Sequence, residues 1–138
     1  MEDFFIPNGF QEVAHTADVS IVVSGFSLEE LFVHAARGMY FAMGATAGME
    51  SEHLLSLDLR EQDHESLLVS YLSELLYLAE KRLMARDLHL DISGLHLTGS
   101  LVMVSILKIQ SEIKAVTYNN LRIYRYDRNY RTQLVFDI

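Results

Sequence analysis

The chain has 138 residues, half of them hydrophobic, with one proline and no cysteine. This length suits one domain with a substantial core, and the composition excludes a disordered chain. The lack of cysteine excludes disulfides, thiolate metal sites and cysteine nucleophiles, and it agrees with a reducing cytoplasm. The formal net charge of −8 disfavours strong direct binding to nucleic acid, because phosphates repel an acidic surface.

The basic residues are concentrated in the last part of the chain. Residues 101–138 contain six lysines and arginines against three acids, a net charge of +3, so residues 1–100 carry −11. We interpret the arginines of this segment as solvated side chains on a β-hairpin. The alternative is a docking surface whose polarised field steers a partner protein.

The N-terminus has neither the basic start nor the long apolar stretch of a secretory signal. The longest apolar run, at residues 101–107, is too short to span a bilayer. We therefore expect a soluble, cytoplasmic protein with no membrane partner.

The first part of the chain predicts an extended segment followed by a helix. Residues 10–23 are extended, and polar and apolar residues alternate clearly after Asp18 until Gly25. Ser27 and Glu30 have capping-box spacing, in which a hydroxyl and a carboxylate bind free backbone N–H groups at the start of a helix. The helix that follows carries one apolar stripe. This stripe consists of Leu28, Leu31, Phe32, Ala35, Ala36, Met39 and Met43.

A second strand and a second helix follow. Alternation over residues 55–59 predicts the strand, and Asp63 is a suitable N-cap for the helix. The apolar stripe of this helix is the strongest periodic signal in the chain. It consists of Leu68, Tyr71, Leu72, Leu75, Leu76, Ala79 and Leu83.

The rest of the chain predicts strands. They cover residues 88–93, 101–109, 113–126 and 131–138, and 101–109 is expected to be central because it is apolar on both faces. Consecutive strands late in a chain imply antiparallel pairing. We therefore predict an α+β fold in which two helices pack on one face of a mixed, largely antiparallel β-sheet, in a single domain spanning residues 1–138.

Most catalytic motifs are absent from the sequence. It has no P-loop, no GxGxxG, no HExxH, no nucleophile elbow and no EF-hand loop. No pair of its six histidines has the i, i+4 spacing of metal ligands on one predicted helix, and His34 is expected to be a partly buried structural residue. The tyrosines of residues 118–130 are interpreted as strand formers rather than as a base-stacking platform.

Two aspartates are predicted to project away from the core. Asp18 lies opposite in parity to the apolar residues of its strand, and so does Asp137 near the C-terminus. If the two strands are neighbours, the carboxylates converge, which requires a cation or a shared proton. Oxygen ligands suit calcium, magnesium or manganese rather than zinc, and the terminal carboxylate of Ile138 could add another oxygen.

Four segments together carry a family likeness. The first runs from His15-Thr16-Ala17-Asp18-Val19 through Gly25 to residues 27–36, and the others are residues 65–77, 112–118 and 135–138. In this order and in a chain of this length, they resemble the archease family. This resemblance covers nearly the whole chain.

The resemblance implies a non-catalytic protein cofactor. Archeases activate an RtcB-type RNA ligase, which uses GTP to join RNA ends in tRNA splicing and RNA repair, by promoting its guanylylation and multiple turnover. The metal-binding aspartates of the family correspond to Asp18 and Asp137, and a required lysine corresponds to Lys114. His15 is assigned with Lys114 to ligase activation. Asn119 stands where the family is expected to have a histidine, and it receives no role.

Two other functions remain open. One is a small metal-dependent phosphoesterase that uses Asp18 and Asp137 as ligands and His15 as its base. The other is a general chaperone or adaptor without a metal site. The first requires turnover of phosphoesters that Asp18→Asn abolishes, and the second requires suppression of aggregation that chelators do not affect.

Overall fold

The computed structural model describes residues 6, 8–13, 18–48 and 52–138, and within these residues two helices and nine strands follow one another. The helices are α1 (Leu28–Met43) and α2 (His64–Glu80). The strands, in chain order, are β1 (Phe10–Val13), β2 (Val19–Gly25), β3 (Thr46–Ala47), β4 (His53–Arg60), β5 (Leu83–Ser93), β6 (His96–Lys108), β7 (Ala115–Val116), β8 (Tyr124–Tyr126) and β9 (Asn129–Asp137).

The described strands form two antiparallel sheets. Sheet A has the order β1-β2-β9-β7, and β8 also pairs with β9. In sheet B the central strand is β6, which pairs with β3, β4 and β5. The α+β class, the two helices and the central position of the 101–109 region are confirmed. The strands divide between two sheets because β7, β8 and β9 return to the N-terminal strands instead of extending the sheet around β6.

Helix α1 begins and ends as its sequence predicts. Ser27 is the N-cap, and its hydroxyl accepts a hydrogen bond from the Glu30 backbone N–H at 3.1 Å. The Glu30 carboxylate accepts from the Phe26 N–H at 3.2 Å. Gly44 ends the helix with a left-handed φ of 61°, which a glycine adopts without steric cost. The predicted stripe is buried except for Leu28, which is half-buried.

Helix α2 is capped by Asp63, whose carboxylate accepts a hydrogen bond from the Ser66 backbone N–H at 2.6 Å. Its stripe is buried as far as Ala79, and the helix ends at Glu80. The assignment of Leu83 to this helix is wrong, because Arg82 adopts a left-handed φ of 66° and Leu83 begins β5. Leu83 is apolar at a position that continues the helical period, and it packs against the same core, but it does so from β5.

Both helices contact strands of both sheets, and one hydrophobic core includes residues from each layer. Two buried tyrosines link these layers. The Tyr71 hydroxyl donates to the Phe32 carbonyl at 2.9 Å, and the Tyr40 hydroxyl accepts from the Ala85 N–H at 3.0 Å. Burial raises the pKa of Tyr40 to about 12, so this hydroxyl is neutral at ordinary pH. Neither described helix is long and apolar enough to cross a membrane.

The first prediction concerns the core face of α2. Leu75 is fully buried, so Leu75→Ala should lower the free energy of unfolding by about 2–5 kcal/mol through lost burial and a residual cavity. Chemical denaturation measures this loss. Ser73→Ala, at an exposed position of the same helix, is the control and should have little effect. Equal stability of Leu75→Ala and the wild type would contradict this packing.

The second prediction concerns the charge of the α2 cap. The hydrogen bond from the Ser66 backbone N–H lowers the pKa of Asp63 below its ordinary value of 3.8. The stabilisation from this carboxylate is therefore fully present above pH 3.8, and it is lost as the pH falls through the lowered folded-state pKa. Asp63→Asn keeps a capping side chain that does not titrate. The melting temperature of the wild type should fall relative to this variant as the pH decreases from about 4 to about 2. A constant difference would contradict the prediction.

Candidate functional site

The two predicted metal-binding aspartates lie at the same end of sheet A. Strand β2 pairs with β9 in a register that starts at Val19 opposite Phe136. Asp18 is one residue before the first member of this pair, and Asp137 is one residue after the second. The register therefore brings both aspartates to the end of two adjacent antiparallel strands.

Both aspartates belong to the outer face of sheet A. Directly opposite residues share a face in an antiparallel ladder, and the pair Ile21 and Leu134 is fully buried on the core face. Asp18 and Asp137 have the opposite parity. Asp18 is half-buried and Asp137 is exposed. Both aspartates adjoin the last pair of the β2–β9 ladder, so their charges lie at one end of the sheet, where like charges repel and a cation would relieve the repulsion.

Lys114 is attached to the same end of the sheet through its backbone. Its N–H donates to the Asp137 carbonyl at 2.7 Å. Two residues after β7 begins, the N–H and the hydroxyl of Thr117 both donate to the Val135 carbonyl, at 3.0 and 2.9 Å. These bonds fix the start of β7 against the end of β9. The Lys114 side chain is exposed and forms no ion pair within the described ranges.

The available ligands at this end are carboxylate oxygens. Asp18 and Asp137 supply two side chains, and Ile138, which is half exposed, follows directly after Asp137. Among the residues that the structure describes, no three His, Asp or Glu side chains gather closely enough to hold a metal. A cation bound here would complete its coordination with the terminal carboxylate or with water, as hard divalent cations do. His15 lies outside the described residues.

Two residues that support this end of the sheet have no signal in the local sequence. Ser20 is fully buried on the face that carries the aspartates, and its hydroxyl accepts from the Gln133 amide at 3.4 Å. Thr117 bridges β7 to β9. Each contact depends on the register between strands distant in sequence, so no local pattern could indicate it.

Three further positions considered in the sequence lie in different surroundings. Asn119 occupies an exposed turn after β7, followed by Asn120 with a left-handed φ of 61°. Tyr118 is half exposed, and its hydroxyl accepts from the Ser66 hydroxyl at 3.3 Å, next to the start of α2. His34 is half-buried and its Nδ1 donates to the Ser24 carbonyl at 2.7 Å, which confirms its predicted structural role.

Known proteins are similar to this chain in sequence and in fold. The sequence profile of the Archease protein family matches residues 10–138. An archease from Methanosarcina barkeri is 34% identical, with 94% of this chain and 95% of that protein covered. An archease from Archaeoglobus fulgidus is 31% identical, with 94% and 98% covered.

Solved structures agree with these sequence matches. The structure of an archease and possible chaperone from Thermotoga maritima has a TM-score of 0.72 and 25% identity, and both chains are fully covered. A protein from Methanobacterium thermoautotrophicum has the same fold, with a TM-score of 0.71 and 24% identity over 95% of this chain and 99% of that chain. Because the profile match spans almost the entire chain and the curated relatives match at full length, this chain belongs to the Archease family.

Proposed function

We propose that this protein is a non-catalytic cofactor that activates an RtcB-type RNA ligase and supports its multiple turnover in tRNA splicing and RNA repair. The observation that carries this function is the family membership over residues 10–138, together with the β2–β9 register at Asp18 and Asp137. The net charge of −8 favours action through a partner protein over direct binding to RNA. The partner is the ligase, which supplies the catalytic groups, and the two act together in the cytoplasm.

Each residue of the site has a proposed role. Asp18, Asp137 and the terminal carboxylate of Ile138 hold a divalent cation, calcium first and magnesium or manganese as alternatives. The donor set fits such an ion, since it consists of oxygens at the end of two adjacent strands. A cation bound there would supply positive charge that attracts the phosphate of an RNA or a nucleotide. Lys114 and His15 act in ligase activation.

The third prediction concerns turnover of the ligase. The assay contains limiting ligase, GTP, a divalent metal and RNA ends that the ligase can join. Multiple turnover of the ligase should then require this protein. A gel assay of ligated RNA against time measures it, and a parallel assay of ligase guanylylation locates the step. Lys114→Ala should reduce activation strongly. Lys108→Ala, also exposed, is the matched control and should activate like the wild type.

Other outcomes distinguish the alternative functions. Unchanged guanylylation and turnover with a verified cognate ligase would contradict the proposed role. Hydrolysis of phosphoesters by this protein alone, lost in Asp18→Asn, would instead indicate a phosphoesterase. Protection of unrelated proteins from aggregation, unaffected by chelators, would indicate a general chaperone.

The fourth prediction concerns the cation. A ligand that binds only the folded state raises the melting temperature as its concentration increases. Calcium should therefore raise the melting temperature of the wild type, and Asp18→Asn or Asp137→Asn should abolish this rise together with ligase activation. Asp91→Asn removes the same charge from an exposed position on β5 and is the control. Lys114→Ala should keep the calcium response, since a cation is not a ligand.

A flat melting temperature at all calcium, magnesium and manganese concentrations would contradict the metal site. It would leave the ligase assay as a separate test of the function. Equal loss of the calcium response in Asp91→Asn and Asp137→Asn would show that the effect comes from general charge screening.

A further inference from the structure

A hollow with two exposed arginines lies where sheet A, α1 and the end of β5 meet. Its volume is about 490 Å³. We call it the arginine hollow, and the residues that define it are Phe26, Leu28, Ile92, Arg125, Arg128 and Tyr130. They come from three distant parts of the chain: the β2–α1 connection, the end of β5 and the β8–β9 hairpin.

The arginine hollow is remote from the aspartates. Gly25 and Tyr130 form the pair at the opposite end of the β2–β9 ladder from Val19 and Phe136. Six residue steps at about 3.3 Å each put the two ends roughly 20 Å apart. The hollow is therefore a second surface, and its ligand does not depend on the proposed role of the aspartates.

Neither arginine in the hollow forms an ion pair with a described residue. Within the described part of the chain, no carboxylate forms an ion pair with Arg125 or Arg128. The Arg125 guanidinium lies 5.6 Å from the centre of the Tyr130 ring, which leaves its N–H donors available. Glu29 also lines the hollow, where its carboxylate accepts a hydrogen bond from the Ile92 N–H at 3.2 Å, so the two arginines outweigh one acid. Both arginines therefore line this space without an ion pair within the described residues.

The composition of the hollow is typical of a protein interface. Its basic residues are arginines, which bind carboxylates through two parallel hydrogen bonds, and it contains no lysine. Its rim carries Phe26, whose side chain is 72% exposed, and its lining includes the apolar side chains of Leu28 and Ile92. Interface cores are enriched in aromatic residues and arginine and depleted of lysine.

The distribution of charge favours an acidic peptide over RNA. The chain carries −8 overall while residues 101–138 carry +3, so the positive field is local. An RNA strand that reached beyond the hollow would meet the acidic remainder of the surface. A short acidic segment would contact only the hollow, and salt screens charges beyond about 8 Å. We propose that the arginine hollow binds an acidic peptide segment of a partner protein, with carboxylates on Arg125 and Arg128 and an apolar side chain against Phe26.

Selection from a random displayed-peptide library on the immobilised full chain tests this site. The enriched peptides should combine Asp or Glu with an adjacent aromatic or aliphatic residue, and their affinity should fall with salt. The double substitution Arg125→Ala and Arg128→Ala should lower the affinity for labelled peptides roughly tenfold or more, as truncation of interface anchors does. Arg37→Ala with Arg60→Ala removes the same charge from exposed positions elsewhere and is the matched control, with unchanged affinity expected.

Two further arms make the test specific. Phe26→Ser should lower the affinity for the same peptides without any change of charge, and an unchanged affinity would overturn the apolar contact. Peptides without acidic residues, or acidic peptides indifferent to Arg125 and Arg128, would overturn the site. Tighter binding of a labelled oligouridine through the same arginines would replace it with a nucleic-acid site. Melting curves equal to that of the wild type verify that the variants fold.

Discussion

The antiparallel pairing of β2 with β9 joins the beginning of the described chain to its end, and both proposed surfaces depend on it. Val19 and Phe136, the first pair, are 117 positions apart. Closing a loop of this length costs about 4–5 kcal/mol in chain entropy. The ladder buries Ile21, Val23 and Leu134 completely, and each such side chain contributes about 1.5–3 kcal/mol. Burial on this one ladder therefore offsets the cost of closure.

Helix α1 connects this ladder to the second sheet. Gly38 is buried where α1 crosses β2, and a Cβ atom there would lie 2.6 Å from the Ile21 side chain. A glycine inside a helix costs about 1 kcal/mol relative to alanine, and the close packing of α1 on sheet A is the reason for it here. On the other side of the helix, Tyr40 binds the backbone of β5. The helix thus fixes the two sheets relative to each other.

Local features of the fold could be predicted from the sequence, because their causes are local. The caps at Ser27 and Asp63 and the two apolar stripes follow from hydrogen bonding and helical period within a few residues. The division into two sheets could not be predicted, since it depends on which distant strands pair. Leu83 was misassigned for a related reason: its period matches the helix, but the left-handed Arg82 ends the helical geometry before it.

The candidate site shows the same limit. Strand parity turned Asp18 and Asp137 away from the core, and the structure agrees, but only the family resemblance indicated that they belong together. No family resemblance indicates the arginine hollow, and the sequence alone favours the interpretation of its arginines as solvated residues of a hairpin. The contribution of Phe26 to the hollow depends on Arg125 and Arg128, which lie about a hundred positions further along the chain.

The two ends of the β2–β9 ladder both carry charges that the fold itself does not require. At one end, Asp18 and Asp137 lie at the surface, where water screens their repulsion. The ladder can therefore form from its apolar pairs without a cation, and a cation would add stability only in proportion to its concentration. At the other end, Arg125 and Arg128 are also exposed, so their charge costs little in the free protein. Both surfaces thus keep their charges available for a ligand, because the buried centre of the ladder stabilises the fold without them.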